Sequence, residues 1–357
     1  MLTKRGVLLF LLALAVTGLF LWIFGRQLAG EWGEVRDAFA HGDWFWLAPA
    51  TLMILLVFVV KGFRWRIIMN PMAKPGYWPL FTATSIGFMA NCLLPFRLGE
   101  LIRPAVLGLR HGVSTTGALA TVVVERLFDM LGLVGVSLMG VAWLAVRKGG
   151  ATTGSRSIAA AGIVLAAVAV AGIGFLIALR LRPHWARKIA LLMLRGTPAS
   201  IRRRGEAMLD SFISGLTVIR TWRQGAAVLL LSILHWMMMG TMAWLTSLCF
   251  AQQTFAGDAG QVQRFDLGLF GAFLVQAFQA LAVSLPQAPG FLGTHQAATT
   301  EASKVILGSS AAGIAGAYAI VLWCVSILPV ILLGFVCLWV EGLSMKQVRR
   351  MANEQPH

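Results

Sequence analysis

Apolar positions in this chain come in long unbroken runs. Residues 7–24, 44–60, 158–179, 226–250 and 311–340 contain no Asp, Glu, Lys or Arg. About 20 helical residues cross the roughly 30 Å of a bilayer's hydrocarbon, and these runs approach or exceed that length. A sixth run, 118–144, is apolar apart from Glu125, Arg126 and Asp129. Two shorter apolar stretches, 80–94 and 267–285, end at prolines. The pattern predicts an all-α, polytopic membrane protein.

Loop charge sets the expected topology, because cytoplasmic loops collect Lys and Arg. Lys4 and Arg5 place the N-terminus in the cytoplasm. The segment 25–43 carries Arg26 and Arg36 against Glu31, Glu34, Asp37 and Asp43, a net of −2 that suits the outside. The segment 61–79 carries Lys61, Arg64, Arg66 and Lys74 with no acid, and is read as a cytoplasmic loop. The linker 180–225 holds ten basic residues against Glu206 and Asp210, a net of +8 that marks it strongly as cytoplasmic. Its segment 205–219, with Met208, Leu209, Phe212, Ile213 and Leu216 on one side, reads as an interfacial helix on anionic lipid.

Those markers fit together if 80–94 and 267–285 do not cross. Each would enter, turn at its Pro/Gly tip and leave on the same side. The expectation is six full spans plus two re-entrant helical hairpins, both termini cytoplasmic, in one transmembrane domain over 1–345. The outer loop 145–157, with Arg147, Lys148 and Arg156, runs against the charge rule.

The two tips resemble each other. One reads LPFRLG over 94–99, with Pro95 and Gly99; the other reads LPQAPG over 285–290, with Pro286, Pro289 and Gly290, and Gly293 follows. Proline breaks the helix ladder, and such backbone survives at membrane depth only inside protein or beside a polar cavity. Hairpins entering from opposite faces are the arrangement of inverted repeats, which place a substrate site near the midplane. Two ordinary loops sharing a short motif are the alternative.

Ionisable groups near apolar runs are costly and usually functional. Arg97, Glu100 and Arg103 flank the first tip. Glu100 and Arg103 share a helix face at i,i+3, so two guanidiniums can clamp a phosphate while Glu100 holds one in place. Glu125 and Asp129 share a face at i,i+4, and need a cation or proton between them. Arg97 or Arg103 would supply it, while Arg126 points elsewhere. An ion network that pins the hairpin to the helix explains the same residues. Around the second tip, Gln276, Gln279, Gln287, Thr294, His295 and Thr299 form a polar lining. There His295 serves as a gate, a proton carrier or a hydrogen-bonding group that fixes the tip. Glu301 and Lys304 form a local pair, and His235 is a buried polar contact.

Composition narrows the classes. Charged residues are 12% and hydrophobic ones 58%, against about 25% charged in soluble domains. The net charge of +16 lies between the spans, which argues for anionic lipid and not nucleic acid. The first run reads as an uncleaved span. Cys92, Cys249, Cys324 and Cys337 lack ligand spacing and read as packing residues. Trp44, Trp46, Trp65, Trp78, Trp143, Trp222 and Trp339 read as an interfacial belt. No HExxH, GxSxG or Walker A motif is present, and no cofactor is expected.

The stretch NCLLPFRLGELIRP (91–104), then ATVVVERLFD (120–129) and LPQAPGFLG (285–293), resembles the lysylphosphatidylglycerol synthase transmembrane region, also called the flippase-like or UPF0104 family. The resemblance covers nearly the whole chain. It implies an integral protein of the bacterial cytoplasmic membrane that moves a lipid, with its functional residues at Arg97, Gly99, Glu100, Arg103, Glu125, Arg126 and Asp129. A soluble synthase half would be absent, since the chain ends soon after its last span. The family commonly carries Gly where Phe291 stands and an acidic residue where Gln296 stands.

On this reading the expected function is a flippase for a phosphate-bearing phospholipid or polyprenyl lipid. Arg97, Arg103 and Arg126 would bind the phosphate. Glu100, Glu125 and Asp129 would orient them or exchange protons, and Gln287 and His295 would line the other side. A non-transporting accessory subunit of an envelope pathway, or an enzyme modifying a lipid head group, are the alternatives. Substrate, direction and oligomeric state are not written in the sequence.

Overall fold

The computed structural model describes residues 4–94, 97–147, 167, 174, 221–257, 260–283, 289–345 and 347–348. The expected span 158–179 apart from residues 167 and 174, the interfacial helix in the basic linker, and Pro95, Pro286 and Gln287 lie outside them. In chain order the described helices are α1 (Lys4–Gln27), α2 (Trp32–Ala40), α3 (Leu47–Met69), α4 (Tyr77–Leu93), α5 (Gly99–His111) and α6 (Thr115–Arg147). Then come α7 (Trp222–Leu248), α8 (Gly268–Val283), α9 (Thr294–Leu307) and α10 (Ala312–Val340). The protein is a multi-pass membrane protein. Among the described residues, four stretches are long and apolar enough to cross: Trp44–Met69, Thr115–Arg147, Trp222–Leu248 and Ser309–Val340.

Local chemistry sets the helix ends. Thr221 caps α7, its hydroxyl accepting the Gln224 N–H at 3.2 Å. Asp266 Oδ1 accepts the Gly268 N–H at 2.9 Å where α8 starts. α5 ends on Gly112 at φ 65°, a left-handed stop that glycine adopts without penalty.

The all-α expectation needs one amendment. Thr254–Ala256 (β1) pairs antiparallel with Val262–Arg264 (β2), a small hairpin between α7 and α8. These residues lie beyond the apolar run, where no helical stripe of apolar positions competes with strand pairing.

α4 and α5 fold back on each other, as do α8 and α9. Small residues permit the close approach, as in helix packing within lipid generally. At Gly87 of α4, an added Cβ would lie 2.8 Å from Arg103 Cβ and 2.9 Å from the Gly99 carbonyl. Gly132 brings α6 onto the α7 backbone at Ser232, and Gly240 of α7 lies against the Phe273 ring of α8. In the second hairpin Gln279 Nε2 donates to Thr299 Oγ1 at 2.6 Å. α10 packs along α4 and α9, and α1 covers α9.

Residues 61–69 are not part of the loop that their charge suggested. α3 continues to Met69, so the connection to α4 is confined to 70–76, and Lys61 and Arg64 are 4% and 0% exposed. Trp65 is not part of an interfacial belt either: it is fully buried and donates from Nε1 to Thr121 Oγ1 at 2.9 Å. Trp143 packs over Gly271. By contrast Trp22, Trp32, Trp78, Trp222 and Trp339 are exposed.

Candidate functional site

The site begins with two carboxylates on α6. Glu125 and Asp129 sit one turn apart and are both buried. The group between them is Arg64 of α3. Its Nη2 donates to Glu125 Oε1 at 2.6 Å, and its Nη1 donates to Asp129 Oδ1 at 2.5 Å and to Ser232 Oγ at 2.9 Å. Arg103 of α5 donates from Nη1 to the second Glu125 oxygen at 2.7 Å. Its guanidinium lies 3.6 Å from the centre of the Trp65 ring. His235 Nδ1 stands 3.4 Å from Asp129 Oδ1, and Trp236 Nε1 donates to the Asp129 carbonyl at 2.8 Å.

This geometry corrects three expectations. Arg103 does supply a counterion, but Arg97 does not: its Nη2 donates to the Val283 carbonyl at 2.7 Å, and its guanidinium stands 5.9 Å from the Phe291 ring centre. Arg97 and Arg103 therefore hold different partners within the protein. Glu100 holds Arg126 (3.3 Å) and not Arg103. Arg126 does not point away from the carboxylates, since its Nη1 reaches Asp129 Oδ2 at 3.5 Å. The reason is reach. An arginine spans i,i+3 on its own helix and also bridges to the next one, so adjacency in sequence does not separate it from Asp129.

Lys61 and Arg64 carry charge into this centre but look like loop residues when counted by charge. A signal was available: Lys61, Arg64, Trp65 and Ile68 fall at i, i+3, i+4 and i+7, one helix face, with no proline before Pro71. All four are buried.

The second hairpin contributes neutral polar groups. Gln276, Gln279, Thr294, His295, Gln296, Thr299 and Thr300 are buried. Among the described residues, Gln276 Oε1, Thr294 Oγ1, His295 Nδ1 and Thr300 Oγ1 have no hydrogen-bond partner. His295 thus does not fix the tip through Nδ1. Gln296 helps hold it, accepting the Gly293 N–H at 2.8 Å. Gly293 sits at φ 79° with the Leu21 backbone of α1 close by, so a side chain fits there neither in conformation nor in space. Trp323 of α10 donates to the Gly290 carbonyl at 2.6 Å. Lys304 and Glu301 form their local pair at 2.7 Å, and Gln27 of α1 joins it.

Chemically, the centre is a buried network of two carboxylates and the guanidinium groups that meet them. Each buried carboxylate is already engaged by guanidinium groups, so it serves as a counterion that orients them. Ionised groups left without partners in the bilayer interior are expensive, which makes this degree of pairing a requirement.

A stretch of 182 residues, 47% of this chain, is 29% identical to the glycosyltransferase AglD of Haloferax volcanii. The match spans 27% of that relative's length. Residues 10–334 match the family described as the lysylphosphatidylglycerol synthase TM region. The chain belongs to that family, a group of membrane-embedded, lipid-handling proteins.

Proposed function

We propose that this protein is a lipid translocator that passes a phosphate-bearing head group across the bilayer between its two helical hairpins. The observation that carries the reading is the junction of the tips. Arg97 of the first hairpin bonds the last residue of α8, Val283, in the second, directly beside a buried charged centre. A charged head group cannot cross bare hydrocarbon at useful rates, so a shielded polar route is what transport needs. Broken helices that meet inside the membrane and carry charge supply such a route.

The topology that goes with this reading has six full spans and two re-entrant hairpins. The hairpins enter from opposite faces as inverted repeats, and both termini lie in the cytoplasm of a bacterial cell. Arg97, Glu100, Arg103, Glu125, Arg126 and Asp129 form the anionic-ligand side. Gln287 and His295 belong to the neutral side. The cargo is a phospholipid or a polyprenyl phosphate lipid.

The test is reconstitution. Liposomes containing the purified protein, with a head-group-labelled phospholipid, should lose outer-leaflet label and re-equilibrate faster than protein-free vesicles. Equal rates would sink the translocator reading.

The likeness to a protein named a glycosyltransferase favours a second reading, in which the chain acts on a lipid of glycan assembly. Turnover of a lipid-linked sugar by the purified protein, without movement between leaflets, would select it.

A further inference from the structure

Lys61 is a basic side chain of the buried centre that forms no direct ion pair among the described residues. It lies within the apolar helix α3 and is 4% exposed. Among the described residues no carboxylate oxygen comes within 4.0 Å of its Nζ. Instead Nζ stands 4.4 Å from the centre of the Phe88 ring on α4. The same ring carries Arg126 of α6, whose Cζ is 5.7 Å from its centre. Two basic side chains therefore pack on one aromatic ring.

The count of charges agrees. Glu100, Glu125 and Asp129 face Lys61, Arg64, Arg103 and Arg126. Three acidic side chains meet four basic ones, leaving the imidazole of His235 aside, and Arg97 at the tip is a further basic one. Unused donors belong to the same ion network. Arg103 is 2% exposed, and among the described residues its Nη2 and Nε have no hydrogen-bond partner. A desolvated guanidinium with two idle donors, in a network with more basic than acidic side chains, is an arrangement that a phosphate oxygen completes.

We propose that Lys61, with Arg126 across the Phe88 ring and the idle edge of Arg103, anchors the phosphate of the transported head group. The Arg97/Arg103 pair that the first tip suggests does not do so. Arg97 is engaged at the tip junction and Arg103 offers only the donors that Glu125 leaves free. The inference rests on the translocator reading only for the choice of a lipid as carrier of the phosphate.

The experiment compares the full chain in detergent with Lys61→Gln and Lys61→Arg. Binding of short-chain phosphatidylglycerol and of inorganic phosphate is measured by calorimetry, and thermal unfolding with and without each. A surplus buried charge destabilises the empty protein, so Lys61→Gln should raise its melting temperature. It should also weaken phosphatidylglycerol binding at least about tenfold, the loss of one charge-assisted hydrogen bond, while Lys61→Arg retains most of it. Lower stability of empty Lys61→Gln, or unchanged lipid affinity, overturns the proposal. Binding of inorganic phosphate as tight as that of the lipid overturns the lipid as its carrier. Lipid binding that depends on Lys61, in a protein that moves no lipid in liposomes, would leave this site standing and remove the translocator reading alone.

Discussion

Arg97 and Phe291 are the two non-glycine residues with left-handed backbone among the described residues, at φ 53° and 55°, and they face each other across the hairpin junction. Each tip thus places one strained side chain against the other's. L-residues pay roughly 1–2 kcal/mol for this conformation, which persists only where the surroundings hold it. At Phe291 the ring gives the Arg97 guanidinium a face to rest on.

Removing that junction is expected to slow transport. Arg97→Ala loses the charged hydrogen bond to the Val283 carbonyl and the ring contact together. Lipid movement in liposomes should fall about tenfold with the melting temperature little changed, a size set by one charged hydrogen bond. An unaltered rate would remove Arg97 from the mechanism.

At position 291 the backbone decides the order of variants. Phe291→Ala and Phe291→Gly both delete the ring, but only glycine relieves the positive φ. Phe291→Gly should be the more stable of the two by about 1 kcal/mol in chemical unfolding. The reverse order would mean that the tip relaxes to a different conformation.

Arg64 is expected to be structural in the strict sense. Its loss takes the shortest-bonded cation from both Glu125 and Asp129, which it bridges at 2.6 and 2.5 Å, and leaves them Arg103 and the longer Arg126 contact. Arg64→Met should cost about 3–5 kcal/mol, the usual penalty for one partner of a buried ion pair. Adding Asp129→Asn should restore part of it. A double-mutant cycle of melting temperatures checks this; additive effects would show that the pair is not coupled.

Gly99 tests the first hairpin. Its missing side chain leaves room for the Gly87 carbonyl and for Asn91, whose Oδ1 would stand 2.6 Å from an added Cβ. Gly99→Ala should destabilise by about 1–3 kcal/mol, overpacking outweighing the better helix propensity of alanine. Equal stability would mean that α4 and α5 are less closely packed.

Outside the membrane, Glu34 on α2 gives a pH dependence. Partial burial, and then the neighbouring Glu31 charge, raise its carboxyl above the usual value. A raised folded pKa in an acid means that its favourable contribution is present below the unfolded pKa and is lost as pH rises through the folded one. Glu34→Gln should therefore raise the melting temperature at neutral pH, and the difference should vanish below about pH 4. A difference independent of pH would point to packing against Gly313.

Much of the fold was legible because membrane spans are written locally. The unbroken run before Lys61 announced α3, and the Pro/Gly tips marked where α4 and α8 stop, since proline removes a donor from the helix ladder, although Pro104 and Pro329 are held inside α5 and α10. Counting charge by segment failed at Lys61 and Arg64 because a charge is admitted to the interior when partners meet it there. Those partners, Glu125, Asp129 and Ser232, come from other helices. The same limit explains Arg97, whose acceptor belongs to the opposite hairpin.

By itself the sequence determined that this chain lives in a membrane, where its helices break, and that Glu125 and Asp129 share one face in need of a cation. Hydrophobic length, proline chemistry and helical period are local properties, fixed by neighbours along the chain. Only the tertiary structure decided which cation fills that need, which tip residue meets which, and that Lys61 forms no direct ion pair among the described residues. Ion pairing in a low-dielectric interior depends on separations of a few ångströms between distant segments, and packing alone sets those.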